Sequence, residues 1–243
     1  MSLRSFISRQ VWRHTPNLAH WYRSRVRPNA FAGLSPRDAF SKIYAENLWG
    51  DRDSGKGSSG LGSHSVAIVD PYVSAISEYL KSRPRPLRLV DLGCGDMAVG
   101  QRLIPLADAY IGCDVVPALI QEHRANFVNA QFECLDIIDD ALPGGDVVLI
   151  RQVLQHLGNE QISRILPKLR AYDAIIITEH LPSGAFKPNL NHSMSDSTRI
   201  ERNSGVVIGV APFEFPGFRD RLLVSVPAEE GTVIQTKVFE RAN

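Results

Sequence analysis

Val90-Asp91-Leu92-Gly93-Cys94-Gly95-Asp96 is the stretch of this chain best suited to chemistry. Leu87 to Val90 reads as a short apolar strand ending at Asp91, and two closely spaced glycines then turn the chain. Glycine lets the backbone turn tightly and approach a ligand closely, because no Cβ stands in the way. Two further acids stand in the same relation to strands. Asp114, 19 residues beyond Gly95, follows Tyr110-Ile111-Gly112-Cys113, and Asp136 follows Phe132-Glu133-Cys134-Leu135. A carboxylate at the second position accepts both hydroxyl hydrogens of a ribose in nucleotide-binding sheets. The plainer readings are packing glycines and solvated turn aspartates, since Asp is common after strands. The combination is more specific than its parts. Ligands of open α/β sheets bind outside the carboxyl ends of the strands, and Asp91, Asp114 and Asp136 all end strands on that edge.

These residues need elements to hold them. From Leu87 onward, strands alternate with helical stretches. A helix is expected from the glycine turn to about Leu106, another from Pro117 to about Asn126, and another after Ile150 to about Leu169. Asp146 to Ile150 reads as the fourth strand and Ala174 to Thr178 as the fifth. Such alternation implies a mostly parallel sheet covered on both faces. Arg221 to Val226 and Thr232 to Phe239 break the rhythm as an antiparallel hairpin turned at residues 227–231. Upstream, Ser35-Pro36-Arg37-Asp38 is a helix start, and Pro71 to Lys81 carries Val73, Ile76 and Leu80 on one face. The chain divides into a basic arm (1–37), a helical, Gly/Ser-rich cap or lid segment (38–86) and an α/β domain (87–243).

Composition sets the broad class. The chain has 243 residues, 44% hydrophobic and 22% charged, and a net charge of +1. Seven arginines and no acid fall within residues 1–37, leaving 20 basic against 26 acidic side chains in the remainder. A basic arm on an acidic body argues against a nucleic-acid binder. Ile7, Val11, Leu18 and Tyr22 follow helical spacing beside the arginines, which suits peripheral contact with an anionic membrane surface. No run approaches the roughly 18 apolar residues of a membrane span, and no secretory signal pattern is visible. Cys94, Cys113 and Cys134 lack zinc spacing, which predicts reduced thiols in a cytoplasmic protein and no metal site.

Asp91-Leu92-Gly93-Cys94-Gly95, Asp114, Leu135-Asp136 and the closing hairpin together resemble the class I S-adenosylmethionine-dependent methyltransferases. The resemblance runs from about Leu87 to Phe239. It implies an α/β, Rossmann-like, seven-strand sheet in the order 3-2-1-4-5-7-6 with helices on both faces, here with a helical N-terminal extension. It implies S-adenosylmethionine as cofactor. Gly93 and Gly95 would border its methionine portion, Asp91 its amino group, Asp114 its ribose hydroxyls and Asp136 its adenine. Ile43-Tyr44-Ala45-Glu46-Asn47-Leu48-Trp49-Gly50, Ser54 to Ser59, Arg151 to Leu157 and Pro212 to Pro216 are similar to a bacterial subgroup of these enzymes, some associated with surface-glycan or natural-product genes. That implies a glycan or small-molecule acceptor. Residues 181–211 depart from the subgroup pattern.

Methyl transfer from a sulfonium requires alignment, exclusion of water and, for a hydroxyl acceptor, removal of a proton. His156, just after the fourth strand, is the first candidate base, because histidine titrates near working pH. Its plainer reading is a packing histidine. His180, with Glu179 directly after the fifth strand, is the second. Arg151 is a candidate for an anionic substrate group or an ion pair. Trp49 and the Gly/Ser stretch to Ser59 form either a lid over the cofactor or a linker. Two rivals remain open. Gly93-Cys94-Gly95-Asp96-Met97-Ala98 fits G-x-G-x-x-A of an NAD(P)-dependent oxidoreductase, with Asp114 at the expected distance. A non-catalytic methyltransferase-like binding module would keep the fold without turnover.

Overall fold

A computed structural model describes residues 30–50, 58–229 and 231–242. Residues 1–29 of the basic arm and residues 51–57 of the expected lid therefore lie outside the described residues, while Pro36 and Arg37, placed in the arm, open the first helix. The chain divides into two units, residues 1–34 and 35–243. In the first, the described residues 30–34 make a turn closed by Leu34 N–H donating to Phe31 O (3.1 Å).

The second unit begins at a capped helix, α1 (Pro36–Ala45). Ser35 Oγ accepts from Asp38 N–H at 3.2 Å, and Pro36 occupies the first turn, where no helical N–H partner is needed. α2 (Leu61–His64) and α3 (Val66–Lys81) follow. α3 starts five residues before the expected Pro71, which therefore lies inside the helix and withholds one of its i→i−4 hydrogen bonds. Its buried Tyr72, Ile76, Tyr79 and Leu80 form one face.

The sheet comprises β1 (Arg88–Leu92), β2 (Ala109–Asp114), β3 (Gln131–Cys134), β4 (Val147–Arg151), β5 (Ala174–Pro182), β6 (Phe218–Pro227) and β7 (Thr232–Arg241). Its order is β3-β2-β1-β4-β5-β7-β6, as expected. β1 to β5 pair in parallel, and β7 runs antiparallel to both β5 and β6. Side chains alternate between two cores, as the period of two in a strand requires. Leu89, Leu149 and Ile176 pack with Tyr72, Ile76 and Leu80 of α3 and Ile120 of α4 (Pro117–Asn126). Val90, Val148, Ile150 and Ile175 pack on the other face with Ile162, Ile165, Leu166 and Leu169 of α5 (Asn159–Leu169).

Two expectations are corrected. No α-helix follows the glycine turn. The chain there makes turns and two 3₁₀ segments, Gly100–Arg102 and Ile104–Leu106. Met97 holds φ +61°, and a Cβ at Gly100 would lie 2.5 Å from the Tyr110 hydroxyl, so the segment tucks against β2 more tightly than a helix allows. Pro105 also withholds an N–H from any helical ladder. Likewise, β5 runs to Pro182 and not to Thr178. β7 pairs along its whole length, matching Glu179 with Gln235 and His180 with Ile234, and so extends the strand past its parallel neighbour. Glu179 and His180 thus lie within β5 and not after it.

Candidate functional site

β1, β2 and β4 end around the glycine turn, and one cavity opens there. It encloses about 1030 Å³ of non-protein space, part of it open to solvent. Asp91, Gly93, Gly95, Asp114 and Asp136 all line it, as do Trp49, Arg151 and His156. His180 does not.

Gly93 and Gly95 hold φ +79° and +58°, the left-handed region in which a side chain is strained. Space forbids one as well: a Cβ on Gly93 would meet Val153 Cγ2 at 2.3 Å, and one on Gly95 would meet Ser59 Oγ at 2.4 Å. The backbone at this turn is therefore pressed between the sheet and what covers it.

The three acids differ in their surroundings. Asp91 is buried and accepts from the Tyr110 hydroxyl at 2.6 Å. Burial pushes its carboxyl up to about 6, against that hydrogen bond and the pull of Arg151. Asp114 accepts from Gly95 N–H and Val116 N–H, each at 3.0 Å. A carboxylate has about four lone-pair positions, so two remain for a ligand. Burial raises Asp114 above the usual carboxylate range, with the Val116 and Gly95 amides pulling it back. Asp136 accepts from Ile138 N–H at 2.9 Å, and burial raises it too. Val115, Leu135 and Ile137 supply apolar walls beside it. The buried Asp91 and Asp114 and the half-buried Asp136, all raised above their normal range, form an acidic site.

The cover comes from α1 and residues 58–63. Tyr44 Oη and Ser59 Oγ are 2.8 Å apart. Ser59 and Asp96 bond reciprocally: Ser59 N–H donates to Asp96 Oδ2 (2.7 Å), and Asp96 N–H donates to Ser59 Oγ (3.1 Å). His64 Nε2 lies 2.7 Å from the same Asp96 oxygen. Burial favours protonation of Asp96, but the Ser59 amide, His64 and the Ala98 amide outweigh it and hold the carboxyl below its usual value. Sequence reasoning missed Asp96 and Tyr44; the Gly/Ser stretch gave no sign of which acid it would bond.

Arg151 spends its guanidinium on this cover. Nη1 donates to Ser63 Oγ (3.0 Å), Nη2 to Gly62 O (2.6 Å), and the group lies 4.9 Å from the Tyr72 ring centre. It anchors α2.

His156 sits on a 3₁₀ turn, Leu154–His156, between β4 and α5, and is buried. Its ring lies 4.6 Å from that of Trp49, whose Nε1 donates to Asp196 O at 2.7 Å. The partners assign its tautomer. Nδ1 lies 3.1 Å from Ser197 O, an acceptor, so Nδ1 carries the hydrogen. Nε2 lies 3.2 Å from Gln155 Nε2, and Gln155 Oε1 accepts from His180 N–H, so the Gln155 amide donates to the bare Nε2. Burial pushes His156 down to about 4, well below the working-pH titration expected from the sequence, so the imidazole is neutral and a weaker base than an ordinary histidine. Elsewhere, His180 Nε2 lies 2.8 Å from Thr232 Oγ1, next to the hairpin turn. Glu179 is buried, and neither carboxylate oxygen has a hydrogen-bond partner among the described residues. Among the described residues, no three His, Cys, Asp or Glu side chains cluster to hold a metal, and no helix is long and apolar enough to cross a membrane.

Residues 90–174 match the family model of a methyltransferase domain. No curated protein matches the chain. Among solved structures, the chain is similar to magnesium protoporphyrin IX methyltransferase from Synechocystis with bound SAM. The TM-score is 0.58 and the identity 17%, covering 87% of this chain and 99% of that one. It is also similar to the N-methyltransferase NodS from Bradyrhizobium japonicum in complex with S-adenosylhomocysteine, with TM-score 0.61 and 12% identity over 85% of this chain and all of that one. A Burkholderia thailandensis 1,6-didemethyltoxoflavin-N1-methyltransferase gives TM-score 0.59 and 14% identity over 85% of this chain and 87% of that one. At these identities the likeness is one of fold. Domain and fold agree with each other and with the glycine turn at β1.

Proposed function

We propose, for a chain that carries a methyltransferase domain on the seven-strand methyltransferase fold, that it transfers the methyl group of S-adenosylmethionine to a small-molecule acceptor. The observation that carries this reading is the convergence of Asp91, Asp114, Asp136 and the strained glycine turn on one cavity. The residues fit a cation-bearing adenosyl ligand. Buried Asp91, raised by desolvation, suits an ammonium. The free lone pairs of Asp114 suit ribose hydroxyls. Asp136 among Val115, Leu135 and Ile137 suits an adenine with its amino group. When bound, the sulfonium supplies an activated methyl group and its own good leaving group. The chain's part is to align the partners, keep water out beneath Tyr44, Trp49 and Ser59, and receive the acceptor's proton.

His156 is the proton acceptor in this reading. Its Nε2 is unprotonated, and an acceptor hydroxyl takes the place of the Gln155 amide there. His180, bonded at the hairpin and absent from the cavity lining, is the weaker candidate. A glycan hydroxyl is the finer form of the acceptor, drawn from the subgroup resemblance alone. The Arg-rich arm supports salt-sensitive association with anionic membranes, to be tested by liposome flotation with and without residues 1–28. Equal flotation of the two forms excludes it.

The dinucleotide reading fits less well. A pyrophosphate sits on the N-terminus of the helix after the glycine turn. Here 3₁₀ turns replace that helix, and three carboxylates face the cavity. Isothermal calorimetry decides: micromolar binding of S-adenosylhomocysteine and no comparable binding of NAD or NADP is expected, and the reverse preference overturns the reading.

A further inference from the structure

Arg199 is the largest fully buried side chain among the described residues, 1% exposed. It opens the 3₁₀ turn Arg199–Arg202, in the segment between β5 and β6 that the sequence left without structure. Every nitrogen of its fork is spent. Nε donates to Leu190 O (2.9 Å). Nη1 donates to Gln155 O (3.1 Å) and Leu154 O (3.4 Å). Nη2 donates to Leu157 O (2.7 Å) and Asn159 Oδ1 (2.9 Å). Three of these acceptors are carbonyls of one turn, residues 154–157. That turn puts Gln155 and His156 into the cavity wall, whereas Arg199 itself does not reach the cavity.

We propose that Arg199 is the positioning residue of the acceptor end of the cavity, fixing the 154–157 turn and through it Gln155 and His156. This rests on reading the cavity as the transfer site. Within this short turn Leu154 O is met by Leu157 N–H at 3.0 Å, whereas the carbonyls of Gln155 and Leu157 need donors from outside it. A planar guanidinium meets several at fixed angles, which an ammonium on a flexible stem does not. A buried cation is costly, and this one is kept by its five acceptors. The same segment sets two more parts of the wall: Asp196 O holds Trp49, and Ser197 O holds His156. The groups facing His156 are Gln155, Trp49, Ser197 O, the partly buried His192 and, behind the turn, the Arg199 charge. With the fork removed, the turn loosens, water reaches the imidazole and a nearby cation is lost. All three changes favour the protonated ring.

Trp49 provides the readout, because a protonated imidazole in ring contact quenches indole emission. The chain has three tryptophans. Trp12→Phe and Trp21→Phe in the full-length protein leave Trp49 as the sole emitter. In that background an acid step near pH 4 is expected, and His156→Gln abolishes it. Arg199→Met moves the step upward by about one pH unit or more, with S-adenosylhomocysteine affinity unchanged by calorimetry and the fold retained by circular dichroism. Should Arg199→Met fail to fold, Arg199→Lys keeps the buried cation and must show the same upward shift, since one ammonium does not span five acceptors. A step that stays in place in a folded Met or Lys variant overturns the proposal. So does a step that moves only together with loss of nucleotide affinity, which marks a general structural role. Failure of the parent to bind S-adenosylhomocysteine would sink the donor reading alone, leaving the fluorescence shift to decide the role of Arg199.

Discussion

In the proposed reading, Asp114 serves the methyl donor and His156 the acceptor. Asp114 keeps two lone-pair positions free after bonding Gly95 and Val116, and charge-assisted bonds to ribose are stronger than neutral ones. Asp114→Ala is expected to weaken S-adenosylhomocysteine binding by about 1.5–3 kcal/mol, or ten- to a hundred-fold. Calorimetry on the folded variant checks this, and unchanged affinity would reassign the ribose contact. His156 acts on the acceptor. His156→Ala is expected to lower turnover roughly 10²–10⁴-fold with little change in donor affinity. The depressed titration of His156 adds a signature: turnover should show no loss from histidine protonation between pH 6.5 and about 5, where an ordinary imidazole takes up its proton. A pH–rate profile falling with a midpoint near 6.5 would place the base elsewhere.

The elements that carry these residues were legible to different degrees. All seven strands and the capped start of α1 could be read from the sequence, because apolar runs and Ser-Pro-x-Asp report local physics, while the strand order came from the resemblance to class I methyltransferases. The helix after Gly95 could not. Its absence comes from Met97 at positive φ and from the close approach of Gly100 to Tyr110, both tertiary contacts. The segment between β5 and β6 was equally opaque. It is organised by two buried polar hubs. Asn189 donates to the carbonyls of Val207, Val210 and Ala211 and accepts from Val207 N–H, while Arg199 gathers the 154–157 turn. Neither residue has a local pattern that betrays its partners. The same reasoning explains why the cavity acids could be read and their cover could not: strand-end acids are set by the sheet, whereas Ser59 meets Asp96 across 37 residues. Gly95→Ala tests the cover at its closest point. The new methyl group would strain a left-handed backbone and crowd Ser59 and Tyr44. Lower thermal stability and weaker S-adenosylhomocysteine binding are expected together. An alanine variant matching the parent in both would show that the cover yields freely.

Across the whole molecule, the groups with displaced titration have opposing effects on stability. Glu179 is raised to about 8, chiefly by burial, with Arg199 and the nearby Leu154 and Gln155 amides pulling it back. A carboxyl raised on folding contributes stability that is complete below its unfolded value, about 4.5, and is lost as pH climbs through about 8. His156, lowered on folding to about 4, acts in the other direction, and its contribution is lost as pH falls below about 6.5. Glu179→Gln removes the first effect alone. Its melting temperature relative to the parent should therefore rise between pH 5 and pH 8, by several degrees, as followed by circular dichroism. A constant difference across that range would mean that Glu179 stays ionised in the fold. The Ser59–Asp96 latch has a consequence in time. Where an adenosyl group sits beneath Tyr44 and Ser59 in the proposed reading, the two latch bonds would have to open for it to be exchanged. Exchange of the donor would then set the pace of the cycle. Acceptors of very different nucleophilicity would then share nearly one maximal rate.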